Sequence, residues 1–234
     1  MNGWFSDYPT TSFPPSASIA PIFIGFHITN SNNSTKYFLL PNGVKYFKQN
    51  EPIGCRDKDT MKLLAAKGIK SFYTRCLTLT FPKREIEPKK GKVFIVDAGH
   101  IPIPESLSKQ AIKITHSAHS IYGHKIRMLM AKKLLATYRD EANLIITTRL
   151  HCALPCIAMG IPVIFFGNPN DYRLSPLSDI NIKINKPYNN KEITLSEFHK
   201  NIDWKPLPIS IEQEKQVLKT LTQSRLQKKI KELT

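Results

Sequence analysis

Arg149 and His151 lie two positions apart in "TTRLHCALPCIAMGIPVIFFG", Thr147 to Gly167, at the junction of two apolar runs. An arginine there can grip a phosphate or carboxylate through paired N–H groups. Charge-assisted bonds of this kind contribute roughly 1.5–3 kcal/mol each. A histidine, with an ordinary pKa of about 6.5, can hold a proton at neutral pH when an anion sits beside it. The chemistry on offer is anion binding with a general acid next to it. The competing reading is a hydrogen-bonded pair in a loop. Proline is tolerated in the first turn of a helix, so Pro155 predicts a helix starting near Cys152, with Arg149 and His151 in the turn before it. The positive end of that helix would then favour the same anion.

The flanking elements must deliver this turn to a ligand-binding edge. "ANLIITT" reads as a strand, "CALPCIAMG" as a helix and "IPVIFFG" as a further strand. "KVFIVDA" and "AIKITHS" are earlier strands, and His124 to Arg139 is an amphipathic helix with Ile126, Leu129, Met130, Leu134 and Leu135 on one face. Towards the amino terminus, the first 18 residues read as loop, Ile19 to Ile28 as a buried strand and "TNSNNST" as a loop. "KYFLLPNGVKYFKQNE" reads as two short helical turns broken at Pro41-Asn42-Gly43. "PIGC" is a short strand, Lys58 to Lys67 a helix stopped by Gly68, and "SFYTRCLTLTF" another strand. Strands alternating with helices argue for parallel sheets covered on both faces. In such sheets ligands sit at the carboxyl ends of the strands, where "NLIITT" hands over to Arg149. The charged, proline-flanked "PKREIEPKKGK" marks a boundary, giving an N-terminal half over 1–88 and a C-terminal half over 89–234.

The formal net charge of +16 calls for an anionic partner: nucleic acid, an acidic membrane surface, or small phosphorylated or carboxylated molecules. No nucleic-acid-binding signature accompanies it, and no specific nucleic acid is expected. No apolar run approaches the roughly 18 residues of a membrane span, and the amino terminus lacks the pattern of a secretory signal, so a cytoplasmic location is expected. Cys55, Cys76, Cys152 and Cys156 show no Cys-x-x-Cys spacing and read as reduced, packed thiols rather than metal ligands. A last helix, Ile211 to Leu233, has an apolar stripe through Val217, Leu218, Leu221, Leu226, Ile230 and Leu233 and a basic opposite face. Packing on its own protein is the favoured reading of that helix, and peripheral contact with an anionic membrane the other.

"TTRLHCALPCIAMGIPVIF" resembles the carboxyl-terminal motif of the polysaccharide pyruvyl transferase family, and "EPIGCRDKDTMKLLAAKGI" followed by "RCLTLTF" resembles an earlier block of it. "MNGWF…FPPS…PIFIGFHI" is similar to an upstream segment of some members, so the resemblance runs from Met1 to about Ser178. It implies two Rossmann-like halves of glycosyltransferase-B type and transfer of a pyruvyl group from phosphoenolpyruvate to a sugar of a polysaccharide or surface glycan, with no cofactor or metal. It matches Arg149 and Leu150 to donor binding and His151 to the acid that protonates the donor's methylene carbon. Arg56 matches the arginine of the earlier block, and Asp57 reads as the cap of the helix after it. His116, in "ITHS", is either a second polar contact or a loop histidine. The Asn-x-Gly-Asp turn that opens many members is absent. The first half is therefore expected to lack an early part of its sheet. An inactive or truncated anion- or glycan-binding member of the same fold is the alternative to an active enzyme.

Overall fold

The computed structural model describes residues 3–5, 13–29, 37–117, 119 and 121–234. The chain forms two compact units: Met1–Leu77 with Tyr172–Pro176 and Gln213–Thr234, and Thr78–Asp171 with Leu177–Glu212. Each is built on one parallel sheet. Both are α/β, as the alternation of strand and helix patterns implies.

The first unit holds the strands β1 (Gly3–Phe5), β2 (Phe26–Ile28), β3 (Ile53–Cys55) and β4 (Ser71–Tyr73), in that order across the sheet. Helix α1 (Pro41–Gln49) starts on Pro41, whose missing N–H costs nothing at that position. Helix α2 (Lys58–Ala65) is capped by Asp57, whose Oδ1 accepts from the Thr60 N–H at 2.8 Å. It is closed by Gly68 at φ 66°, beside the 3.1 Å bond from Ile69 N–H to Leu64 C=O. Phe23, Phe26, Phe38, Phe47, Ile53 and Leu64 form a buried core.

Three sequence expectations change here. The segment expected to be loop over its first 18 residues contributes β1, paired in parallel with β2 from Gly3↔Phe26 to Phe5↔Ile28. The strand expected over Ile19–Ile28 is confined to its last three residues. Pro21 has no N–H to offer a ladder, and Gly25, at φ 69°, turns the chain and gives its N–H to Thr74 Oγ1. "SFYTRCLTLTF" is a strand only to Tyr73, because Arg75 at φ 63° ends it and a 3₁₀ turn follows over Leu77–Thr80. The loop expected at 29–35 lies outside the described residues apart from Thr29.

The second unit holds β5 (Lys92–Val96), β6 (Ile112–Ile114), β7 (Ala142–Thr147), β8 (Val163–Phe166) and β9 (Ile184–Asn185), in the spatial order β6-β5-β7-β8-β9. The short helix α3 (Glu105–Ser108), the long α4 (His124–Glu141), α5 (Leu150–Ala158), α6 (Ser175–Ser178) and α7 (Leu195–Lys200) lie between or after the strands. Of these, α6 is shared between the two units by its position in the chain. Strands β7 and β8 are near-continuous apolar runs, as strands buried on both faces require. Ile95, Ile146, Ile164, Phe166 and Phe198 carry one side of the core. Arg84 of the charged "PKREIEPKKGK" segment is 8% exposed and donates to the Ala142 carbonyl at 2.5 Å, tying that stretch to the sheet. The last helix, α8 (Glu212–Leu233), buries Lys215 and Leu218, and Arg225 donates to the Pro52 carbonyl at 2.6 Å within the first unit.

The apolar face of α4 is buried only in part. Ile126, Leu129 and Met130 are 49%, 65% and 38% exposed, whereas Tyr138 is buried at 1%. Burial along the helix begins at Leu134, so Leu134 and Leu135 are half-buried while the apolar residues of the earlier turns are exposed.

Gly54, in β3, approaches its neighbours closely: a Cβ there would lie 2.6 Å from the Phe23 carbonyl oxygen and 2.8 Å from Thr74 Cγ2. Gly54→Ala is expected to destabilise the first unit by about 1–3 kcal/mol, the range for overpacking a filled interior, read as a lower urea midpoint.

Candidate functional site

The geometry of the second unit follows from register. Val96 of β5 pairs with Ile114 of β6 and Thr147 of β7, so the three strands end level. The next residues, Asp97, Thr115 and Thr148, therefore emerge in one row at the carboxyl edge. The spatial order also reverses direction between β5 and β7, which makes their shared carboxyl edge the topological switch point where α/β sheets place ligands.

Asp97 organises that edge. It adopts φ 51°, and its carboxylate accepts from Thr115 Oγ1 at 2.6 Å, the His116 N–H at 3.0 Å and Arg149 Nε at 2.8 Å. Its own carbonyl accepts from Thr148 Oγ1 at 2.9 Å. Burial alone would raise the Asp97 pKa. The bonds from Thr115, His116 and Arg149 outweigh burial and hold it below the ordinary carboxylate value.

Arg149 is the cap residue of α5 rather than a residue of a preceding turn, and its carbonyl accepts the N–H groups of Cys152 and Ala153, each at 3.0 Å. Its N–H donates to Thr147 Oγ1 at 3.0 Å, which fixes the bend out of β7. The guanidinium spends one N–H on Asp97 and one on Ser117 Oγ at 3.3 Å. Of the five N–H groups of an arginine, the remainder stay available on a side chain that is 51% exposed.

His151 is exposed and lies at the second position of α5, with Leu150, half-buried, before it. The helix thus begins two residues earlier than Pro155 predicts, and Pro155 lies inside it. The N–H that proline lacks is the one that would reach back to the His151 carbonyl, so α5 forgoes one interior hydrogen bond. Gly160 closes α5 at φ 75°, with Ile161 N–H bonded to Cys156 C=O at 2.9 Å.

His116 joins the row through its backbone, while its ring stacks on Tyr138 at 5.9 Å and bonds the Tyr138 hydroxyl through Nε2 at 2.8 Å. Burial pushes the Tyr138 hydroxyl well above its ordinary pKa, so it remains protonated. Beneath the edge, Cys152 and Cys156 are buried, reduced thiols. Hydrogen bonding from Cys156, helped by His116 and Thr147, pulls the Cys152 thiol down against burial, while burial drives Cys156 up.

Arg56 belongs to the first unit and sits just past the carboxyl end of β3, 3% exposed, with its Nε 3.8 Å from Asp57 Oδ2. Burial lowers its pKa and the Asp57 carboxylate opposes that shift. Beside it lies a residue that sequence reasoning passed over. His27, at 0% exposure, places Nδ1 2.5 Å from Asp57 Oδ2. Thr60 Oγ1 donates to the same carboxylate oxygen at 3.2 Å. Burial outweighs the Asp57 hydrogen bond and lowers the His27 pKa, which leaves the ring neutral with its proton on Nδ1. Its Nε2 and the Arg56 Nε are buried without a hydrogen-bond partner among the described residues. A neutral Asp–His pair with a bare Nε2 can accept a hydrogen bond or a proton from a hydroxyl. The available signal was a lone histidine at the end of the otherwise apolar "PIFIGFHI". A surface groove of the first unit, about 780 Å³ and bordered by Lys45, Lys48 and Lys67, includes neither His27 nor Arg56.

These features define an α/β protein with an anion-suited switch point and a second polar cluster at the carboxyl edge of its other sheet. Residues 3–170 match the family model of the polysaccharide pyruvyl transferases, and the chain belongs to that family. The match takes in His27, Arg56, Asp97, His116, Arg149, Leu150 and His151. No curated protein and no solved structure matches the chain.

Two predictions concern these clusters. Asp97→Asn keeps the shape but loses the charge, and is expected to cost about 1–3 kcal/mol in urea unfolding near neutral pH. The native Asp97 pKa lies below the unfolded one, so its contribution is complete above about 3.9 and fades as pH falls through the native value. The variant lacks that acid-dependent loss. For His27 the native pKa is also lowered, but the group is a base. The unfolded chain binds its proton first, and stability falls as pH drops from about 6.5 towards the native value. His27→Gln is expected to flatten the urea midpoint over that window.

Proposed function

We propose that this member of the family transfers a pyruvyl group from phosphoenolpyruvate to a glycan hydroxyl, with Arg149 holding the donor and His151 protonating it. The observation that carries the reading is the Asp97–Arg149 pair at the switch point. It aims a half-exposed guanidinium, with N–H groups to spare, at the edge where His151 stands exposed on the first turn of α5. Phosphoenolpyruvate concentrates several negative charges in a small volume, which suits a fixed arginine beside a helix amino terminus. A proton delivered by His151 to the methylene carbon forms the methyl C–H bond from the alkene π electrons and leaves the adjacent carbon electron-poor. A sugar hydroxyl then bonds to that carbon and gives up its proton, and phosphate leaves with the electrons of its C–O bond. Attack by a second hydroxyl of the sugar closes the ketal. Arg56 is a further donor-binding candidate. His116, with its ring engaged by Tyr138, is assigned a positioning part through Asp97. The two Rossmann-like halves of a glycosyltransferase-B-like enzyme are the architecture this reading assumes.

The test is titration of the chain with phosphoenolpyruvate, followed by phosphate release in the presence of free and lipid-linked oligosaccharides. Arg149→Ala is expected to weaken donor binding about 10- to 100-fold, the equivalent of one or two charge-assisted bonds. His151→Asn is expected to keep binding and slow turnover by about 10²–10⁴-fold. Unchanged turnover in His151→Asn removes the acid role. Donor binding without consumption by any acceptor supports the non-catalytic, anion- or glycan-binding reading instead.

A further inference from the structure

Every residue from Ile121 to Lys133 is exposed, although this stretch includes the first ten residues of α4. At 1.5 Å per residue that is about 15 Å of helix in which each residue is exposed. Of its large apolar residues within the helix, Met128, 45% exposed, lies apart from the others. Ile126, Leu129 and Met130 stand at i, i+3 and i+4 and share one face, and Ile121 and Tyr122, 77% and 40% exposed, precede them. Leu129 lies nine positions before the buried Tyr138, two and a half turns away, and so points opposite to the side that meets the core.

The same stretch is uniformly basic. No aspartate or glutamate occurs between Glu105 and Asp140, while Lys109, Lys113, Lys125, Arg127, Lys132, Lys133 and Arg139 all do. Lys125, Lys132 and Lys133 border the apolar face.

An occupant of this surface must be both anionic and apolar. A second copy of the chain would oppose positive charge to positive charge. A nucleic acid would match the charge but leave Ile126 and Leu129 in water. An anionic bilayer satisfies both, since aliphatic side chains enter the acyl boundary while lysines remain among the headgroups. A tyrosine at the margin suits the interface.

We propose that the projecting half of α4 is a docking surface for an anionic lipid bilayer. The surface is independent of the proposed reaction, because vesicle binding requires no turnover. It would bring the chain to where a lipid-anchored acceptor resides.

The experiment is co-sedimentation of the full chain with vesicles of equimolar phosphatidylglycerol and phosphatidylcholine, and with pure phosphatidylcholine, at low and high salt. Binding is expected to the anionic vesicles, to weaken with salt and to be slight on neutral ones. K125Q/K132Q/K133Q is expected to lower the partition coefficient roughly fivefold per cation removed. I126Q/L129Q is expected to lower it about tenfold or more through lost apolar burial. All five positions are exposed, so the urea midpoint should not move. L226Q/I230Q, on the exposed stripe of α8, is expected to bind like the parent chain. The proposal is overturned if anionic vesicles do not bind, if both α4 variants bind normally, or if only L226Q/I230Q loses binding. Capture of a single-stranded oligonucleotide without vesicle binding also overturns it.

Discussion

The Asp97 carboxylate joins the ends of three adjacent strands with a single side chain. Thr115 and His116 reach it from β6, and Arg149 reaches it from beyond β7. A buried or half-buried carboxylate is tolerable only when its oxygens are matched by donors, and each donor gains a fixed direction in return. Without it the guanidinium of Arg149 would sample many rotamers on an open edge. With it, the cation is held at the point where the sheet order reverses, and His151 follows two residues later on the helix that Arg149 caps. The strand register makes this arrangement available, because Val96, Ile114 and Thr147 end level.

The first unit solves a similar problem by deeper burial. Asp57 is at once the cap of α2, the hydrogen-bond acceptor of His27 and the nearest counter-charge of Arg56. Thr60 adds bonds to both Asp57 and the end of β2. Removing one partner from such a cluster leaves the others buried and unmatched, which makes the group cooperative and constrains every member's position. Among the described residues, Nε2 of His27 and Nε of Arg56 are buried without a hydrogen-bond partner, which is a costly arrangement.

The apolar stripes of α4 and α8 show that periodicity reports amphipathicity but not the partner. Both helices carry the expected spacing, yet Leu129 and Leu226 are exposed at 65% and 50%. In α4 the residues that leave the surface are Leu134 to Tyr138, near its end. In α8 the contact is made through Lys215, Leu218 and Arg225 rather than along the whole stripe.

The sequence by itself determined the parallel α/β class, the strands β5, β7 and β8, the cap of α2 by Asp57, the stop at Gly68 and the position of Arg149 and His151 at a strand's carboxyl end. These are local matters: apolar runs, a capping side chain, a glycine where positive φ is needed, and a polar pair after a strand. Tertiary structure alone decided that Asp97 is the partner of Arg149 and that His27 is bound to Asp57, 30 residues away. Both pairings depend on which strands become neighbours and in what register, and such long-range choices leave no mark in local spacing. Tertiary structure also decided the start of α5. Pro155 fixes only where one hydrogen bond is missing, whereas the bond from the Arg149 N–H to Thr147 Oγ1 sets where the chain turns.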